Sequence, residues 1–411
     1  MRLTRHAARA LLSNGPLARF LATKTVSSLA NGVGAVALPV YLLADSGPLA
    51  MGLFLSISTL ATLAMLPVAG ILADRLPRGR LIRLGYAVSA ASPVALLVLD
   101  GVPRVEILGA ALAGAGGALG SPATRAGLAD LVGPGQLAAA QGLVSSTQNI
   151  VSILTPALAG VFLTTSPPAV LLVAQTVTFG FALLLTPHIG RAVDQPRAEG
   201  PTDAERSATR LIRRTPWIRT GLIQTSVQIL LGFAPGLVLI RLVSTDRYGS
   251  AGLGAILAVS AGAALVGTVV AAVQMPRLPG LWANLGFVCY TPVFLCLVVD
   301  VPLWTFVAAI AVGGVGISLH GVWWYAAINE GVAVGLRGRV NATDLMTTKL
   351  LEPVGMALAI PASSQLGLRT VCLIGATTFL VAPVLALLTR GFPQYGQHLA
   401  PVPSPMERNA A

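Results

Sequence analysis

"GILADRLPRGRLIR", residues 70 to 83, puts an aspartate, four arginines and two glycines into one connection between two almost unbroken apolar stretches. Those flanking stretches run over 50–73 and 81–99. Each is long enough to supply the roughly 20 apolar residues that carry a helix across a bilayer. A short charged connection between two such runs predicts a membrane hairpin, with its turn in water.

The composition extends that reading to the whole chain. Of 411 residues, 55% are hydrophobic and only 10% charged, with a mean hydropathy of +0.78. Soluble domains carry about 25% charged residues, so this chain cannot cover itself with polar surface. The net charge of +12 raises nucleic acid as a partner. However, the basic residues fall in short connections, and no basic patch interleaves with aromatics, so no nucleic acid is expected. Lysine occurs only at Lys24 and Lys349, and the other cationic residues are arginine. With abundant Ala and Gly, that usage points to a GC-rich bacterial genome. Cys289, Cys296 and Cys372 lie in apolar segments without metal-ligand spacing, which predicts buried thiols and no metal.

Twelve spans are predicted. The first six cover 20–44, 50–73, 81–99, 105–123, 140–163 and 168–187. The second six cover 216–241, 250–273, 281–299, 302–325, 340–363 and 369–389. The one long connection is the charged segment 188–215. The expected fold class is thus an all-α integral membrane protein with twelve transmembrane helices in two six-helix bundles. The expected divisions are 1–190, a cytoplasmic loop 191–215, and 216–411 with a short cytoplasmic tail. With the N-terminus inside, only Arg104, Arg241, Arg247 and Arg369 fall on the outer side, as the positive-inside rule requires. Both termini are then cytoplasmic. "SILTPALAG" in span 5 is echoed by "KLLEPVGMA" in span 11, and such repeated halves are the layout of a transporter with its site between them.

The stretch Gly70-Ile-Leu-Ala-Asp74-Arg75, followed by Arg78-Gly79-Arg80, resembles the signature between spans 2 and 3 of the major facilitator superfamily. Within that superfamily, three stretches look like the drug:proton antiporter branch that includes macrolide-efflux proteins. They are "RFLATKTVSSLANGVGAVALPVYLLADSGPLAMGL", "SPATRAGLADLVGPGQLAAAQGLVSS" and "LRGRVNATDLM". The resemblance implies a gating latch: Gly70 would permit close helix approach, and Asp74 would accept bonds from the N-terminus of span 11 near Arg339-Val340. Arg75, Arg78 and Arg80 would fix orientation, although for the arginines alone a plain positive-inside loop is the better explanation. At an offset of 200, Gln274 stands where Asp74 does, so a latch on the second half should be weaker. Span 5 carries Thr155-Pro156 and Gly160 where antiporters of the superfamily have a glycine-rich stretch ending in Gly-Pro.

Ionisable residues inside a bilayer cost on the order of 3 kcal/mol on insertion scales and usually have a function. Glu352, twelve residues past Val340, lies well inside span 11, with Lys349 three residues before it. The pair reads either as a proton carrier or counter-charge, or as a structural ion pair. His320 in span 10 is a second proton-coupling candidate, and Trp323 and Trp324 follow it. These tryptophans are either interfacial aromatics or a stacking surface for substrate. Lys24 can snorkel to the inner surface. Asn31, Gln224, Gln228 and Lys349 complete the substrate-cavity candidates, since the resemblance places spans 1, 4, 7 and 10 around a central cavity. Hydrogen bonding between helices explains the amides equally well.

The expected function is secondary active transport: proton-coupled efflux of hydrophobic or amphipathic compounds such as drugs, macrolides, siderophores or secondary metabolites. The alternative is an importer or facilitator of a nutrient on the same fold. No phosphate loop, catalytic constellation or metal cluster is visible, so neither an enzyme nor a cofactor is expected. The expected partners are a small-molecule substrate, protons and the lipid bilayer. The expected setting is the bacterial cell membrane, with the chain acting as a monomer.

Overall fold

The computed structural model describes residues 15–99, 102, 104–132, 137–189, 209–274, 276–332 and 334–395. The side chains of Asp74, Arg125, Asp130 and Arg337 lie outside what is described. The described residues are helical throughout their regular structure, with no strand among them. In chain order the helices are α1 (Gly15–Asp45), α2 (Gly47–Arg75), α3 (Arg78–Val98), α4 (Val105–Leu131), α5 (Leu137–Phe162) and α6 (Pro168–Leu185). After the central connection, α7 begins at Pro216 and passes through a π-helical turn, Ile229–Phe233, into Ala234–Val273. That last helix is interrupted at Gly249, so α7 ends at 248 and α8 covers 250–273. Then come α9 (Pro279–Val298), α10 (Leu303–Gly331), α11 (Val334–Leu366) and α12 (Leu368–Leu387).

Each predicted span has its helix, and α4, α10 and α11 run beyond their apolar parts into the charged connections. Eight stretches among the described residues are long and apolar enough to cross a membrane, and the longest of them, Pro216–Val273, holds both α7 and α8. Val105–Ser121 in α4 gives a further, shorter apolar stretch. The chain is an integral membrane protein.

The sequence fixes the helix joints by local chemistry. Proline sits in the first turn of α2, α6, α7 and α9, where its missing N–H has no intrahelical partner to lose. Between α7 and α8, Gly249 adopts φ 67°, ψ −173°, a region essentially confined to glycine. Gly367 makes the one-residue joint between α11 and α12 with φ 85°. The π-helical turn has a cause too. Pro235 cannot donate to the preceding turn, and the ladder widens just before it.

The described parts of the chain form two compact units. One comprises residues within Met1–Pro196 together with Arg241–Ala258, and the other residues within Arg197–Ile240 and Val259–Ala411. In the first unit α3 and α4 cross at backbone distance: a Cβ on Gly116 would lie 2.5 Å from the Ser89 nitrogen and 2.8 Å from the Gly85 oxygen. A buried cluster of Leu17, Phe20, Leu81, Ile82 and Ile189 closes one end. In the second unit α9 meets α10 at Gly286 and Gly316. Phe287, Tyr290, Phe294 and Phe379 form its aromatic interior, with ring centroids 5.1–5.8 Å apart. Small residues where helices touch and large ones where they diverge is how helices associate when lipid offers no hydrophobic drive.

Candidate functional site

The first unit encloses a cavity of about 510 Å³. One face of α1 lines it almost end to end, through Phe20, Lys24, Ser27, Asn31, Gly34, Leu38 and Leu42. These positions recur every three to four residues, as one helical face requires. Small residues of α4 (Ala113, Gly117, Gly120) keep the opposite wall low, and a Cβ on Gly117 would meet no described atom within 4 Å. Hydroxyls and amides supply most of the polarity. Gln148 Nε2 donates to Ser28 Oγ at 3.3 Å, the Tyr86 hydroxyl to Ser27 Oγ at 3.2 Å, and Ser27 Oγ to the Lys24 carbonyl at 3.0 Å. Gln175 is 5% exposed, and its Oε1 has no hydrogen-bond partner. Lys24 and Arg241 are the charged residues of the wall, and no carboxylate is among the described lining residues.

The residues singled out in the sequence fall into four places. Asn31 lines this cavity. In the gating motif, Gly79 is buried, and its N–H donates to the Ile189 carbonyl at 3.2 Å. A Cβ there would lie 2.7 Å from the Pro187 oxygen, whereas one on Gly70 would meet no described atom within 4 Å. The close approach in this motif therefore falls at its second glycine, against the segment that follows α6. Arg75 and Arg80 are exposed, Arg78 is half-buried, and Arg83 Nη2 donates to His188 Nδ1 at 3.3 Å.

In the second unit, Gln224 Nε2 donates to Asn284 Oδ1 at 2.7 Å and to Gln228 Oε1 at 3.3 Å. The two glutamines are thus tied to each other and to α9. His320 is 5% exposed and shares a 2.9 Å hydrogen bond with the Tyr395 hydroxyl through Nδ1. It stacks on Trp324 with ring centroids 5.9 Å apart, and Trp217 meets Trp324 edge-on at 5.6 Å. Tyr395 follows the last helix, and burial raises its phenol above the ordinary value, so it stays protonated and able to donate. Trp323 Nε1 donates to the carbonyls of Ala271 (3.2 Å) and Gln274 (3.1 Å), tying down the end of α8. Apart from these, Lys349 Nζ donates to Glu352 Oε2 at 2.7 Å, the lysine side chain 48% exposed and the glutamate 15%.

Sequence reasoning passed over three residues. Lys24, which can snorkel, lines the cavity. Arg241, on the outer side in the expected topology, lines the same wall. Asp344 accepts a hydrogen bond from Trp324 Nε1 at 3.2 Å. Its signal was present: a carboxylate in predicted span 11, eight residues (two helical turns) before Glu352.

No curated protein matches the chain. Its fold is similar to that of the nucleoside transporter NupG, with a TM-score of 0.72 at 13% identity over 90% of this chain and 98% of that one. A bacterial homologue of the iron transporter ferroportin, in an inward-facing state, gives a TM-score of 0.68 at 17% identity over 92% and 98%. A POT family transporter in complex with 5-aminolevulinic acid gives 0.69 at 11% over 93% and 96%. The model of the Major Facilitator Superfamily matches residues 20–348. A chain with that match and these helices belongs to the major facilitator superfamily, and is a membrane transporter.

Proposed function

We propose that this transporter exports amphipathic small molecules in exchange for protons. It would act as a monomer by alternating access, in a bacterial plasma membrane with both termini cytoplasmic. The observation that carries most weight is the cavity of the first unit. Its 510 Å³ lies within the usual range for small-molecule sites, about 300–1,000 Å³. Its wall is mixed, with apolar side chains interspersed with hydroxyls, amides and two cations, which suits an amphipathic molecule. The three stretches that resemble drug:proton antiporters favour export.

Proton coupling is assigned to Glu352. Its carboxylate is mostly enclosed and has one cationic partner, Lys349, on its own helix. Protonation would dissolve that pair and release Lys349, a local charge change able to bias two states of the carrier. The test is proton movement in proteoliposomes holding a pH-sensitive dye, challenged with macrolides and lipophilic ions. Substrate-dependent proton flux that falls at least tenfold in Glu352→Gln is the expected result. Substrate movement without a proton signal, unchanged in Glu352→Gln, would instead make the chain a facilitator and the pair structural.

A further inference from the structure

The cavity wall carries Lys24, which no described carboxylate of the lining balances. Lys24 sits about two and a half helical turns into α1 and lines the cavity. No carboxylate is among the described lining residues. Ser27 Oγ donates to the Lys24 carbonyl, which leaves the ammonium unaffected. An ammonium on a cavity wall inside a membrane protein is rare and favours an anion or a set of acceptors beside it. Two more features of the wall belong with it. Asn31, two turns further along the same face, is exposed to the cavity. Gln175 is almost fully buried, with its Oε1 unpartnered. Arg241 is the other cation among the described lining residues.

From this geometry we infer that the cavity takes an organic anion: an amphipathic molecule whose carboxylate, or a like acidic group, is neutralised by Lys24 while its apolar body lies along the α1 and α4 walls. The inference rests on the transporter reading and narrows its substrate class. Lipophilic cations would meet a wall of their own sign here. Asn31 would donate from Nδ2 to the acidic group, whereas Gln175 Oε1, an acceptor, could take only a hydroxyl or N–H elsewhere on the ligand. An ammonium is a point charge without the fixed fork of a guanidinium, so Lys24 would accept acidic groups of varied shape.

The test pairs molecules with the same apolar body and opposite charge: 2-naphthoate against 2-naphthylmethylammonium, and 4-biphenylcarboxylate against 4-biphenylmethylammonium. Binding to the purified full-length chain in nanodiscs is measured by calorimetry for wild type, Lys24→Gln and Lys24→Arg. The expected result is carboxylates bound at least tenfold more tightly than their ammonium partners. That preference should vanish in Lys24→Gln and survive within threefold in Lys24→Arg. Ammonium ions bound as well as the carboxylates, a preference unchanged in Lys24→Gln, or no carboxylate binding at all would overturn the inference. The charge-retaining variant, with its melting curve, separates a lost site from a lost fold. Flux in proteoliposomes keeps the two readings apart. Carboxylates bound but not moved would remove the transport reading and leave the anion site. Ammonium ions moved and carboxylates unbound would do the reverse.

Discussion

Single side chains in this protein are held by partners that the sequence does not place beside them. His320 and Tyr395 are 75 positions apart and share one hydrogen bond in a buried aromatic cluster. The other ring nitrogen of His320, Nε2, has no partner. Tyr395→Phe would leave both nitrogens unsatisfied at almost no cost in volume. An unsatisfied buried polar group costs about 1–3 kcal/mol, so the variant should melt several degrees lower in detergent. An unchanged melting temperature would mean that the aromatic packing, not the hydrogen bond, secures the segment after α12. Gln224 illustrates the same dependence. Its amide reads from sequence as cavity lining or as glue between helices, and in the structure it bonds Asn284 of α9 and Gln228 of its own helix.

At the scale of elements, the joints matter more than the helices they connect. Gly249 separates α7 from α8 with a backbone conformation that a Cβ would strain, at a cost of about 1–3 kcal/mol. Gly249→Ala should therefore destabilise the chain although open space surrounds it. Gly180→Ala supplies the contrast. It is a helical glycine in α6 that also meets nothing within 4 Å, and replacing it should stabilise by up to about 1 kcal/mol through helix propensity. Thermal melting of the two variants side by side checks this, and equal shifts of the same sign would refute a conformational origin. Helix crossings obey a different rule. Gly160 of α5 would place a Cβ 2.5 Å from the Ser250 oxygen and 2.8 Å from the Gly254 Cα, so there the missing side chain serves contact, not conformation.

For the whole molecule, the predictions concern charge moved across a membrane. If an anion leaves while a proton enters, each cycle carries two positive charges inward. An inside-negative potential is worth about 2.3 kcal/mol per charge per 100 mV, so it should speed export of 2-naphthoate in right-side-out proteoliposomes. Reversing the potential with a valinomycin and potassium gradient should slow it, and a rate indifferent to potential would exclude this charge balance. The twelve helices and their order were legible in the chain, because a bilayer demands about 20 apolar residues per crossing and charged turns between them. Those constraints act locally, on consecutive residues. The family was legible as well, from the Gly70–Arg80 signature and the repeated halves. What lines a cavity was not. Lys24 and Arg241, which lie in different helices, line a single cavity, and the close contact of the signature falls at Gly79, whereas a Cβ on Gly70 meets no described atom within 4 Å. Helix rotation and partner choice decide such matters. They depend on which small residues let which backbones meet, a sum of many contacts between positions far apart in the chain. Sequence alone determined how many helices cross and where they turn; only the tertiary structure decided which of their faces enclose a cavity, and which charge that cavity presents.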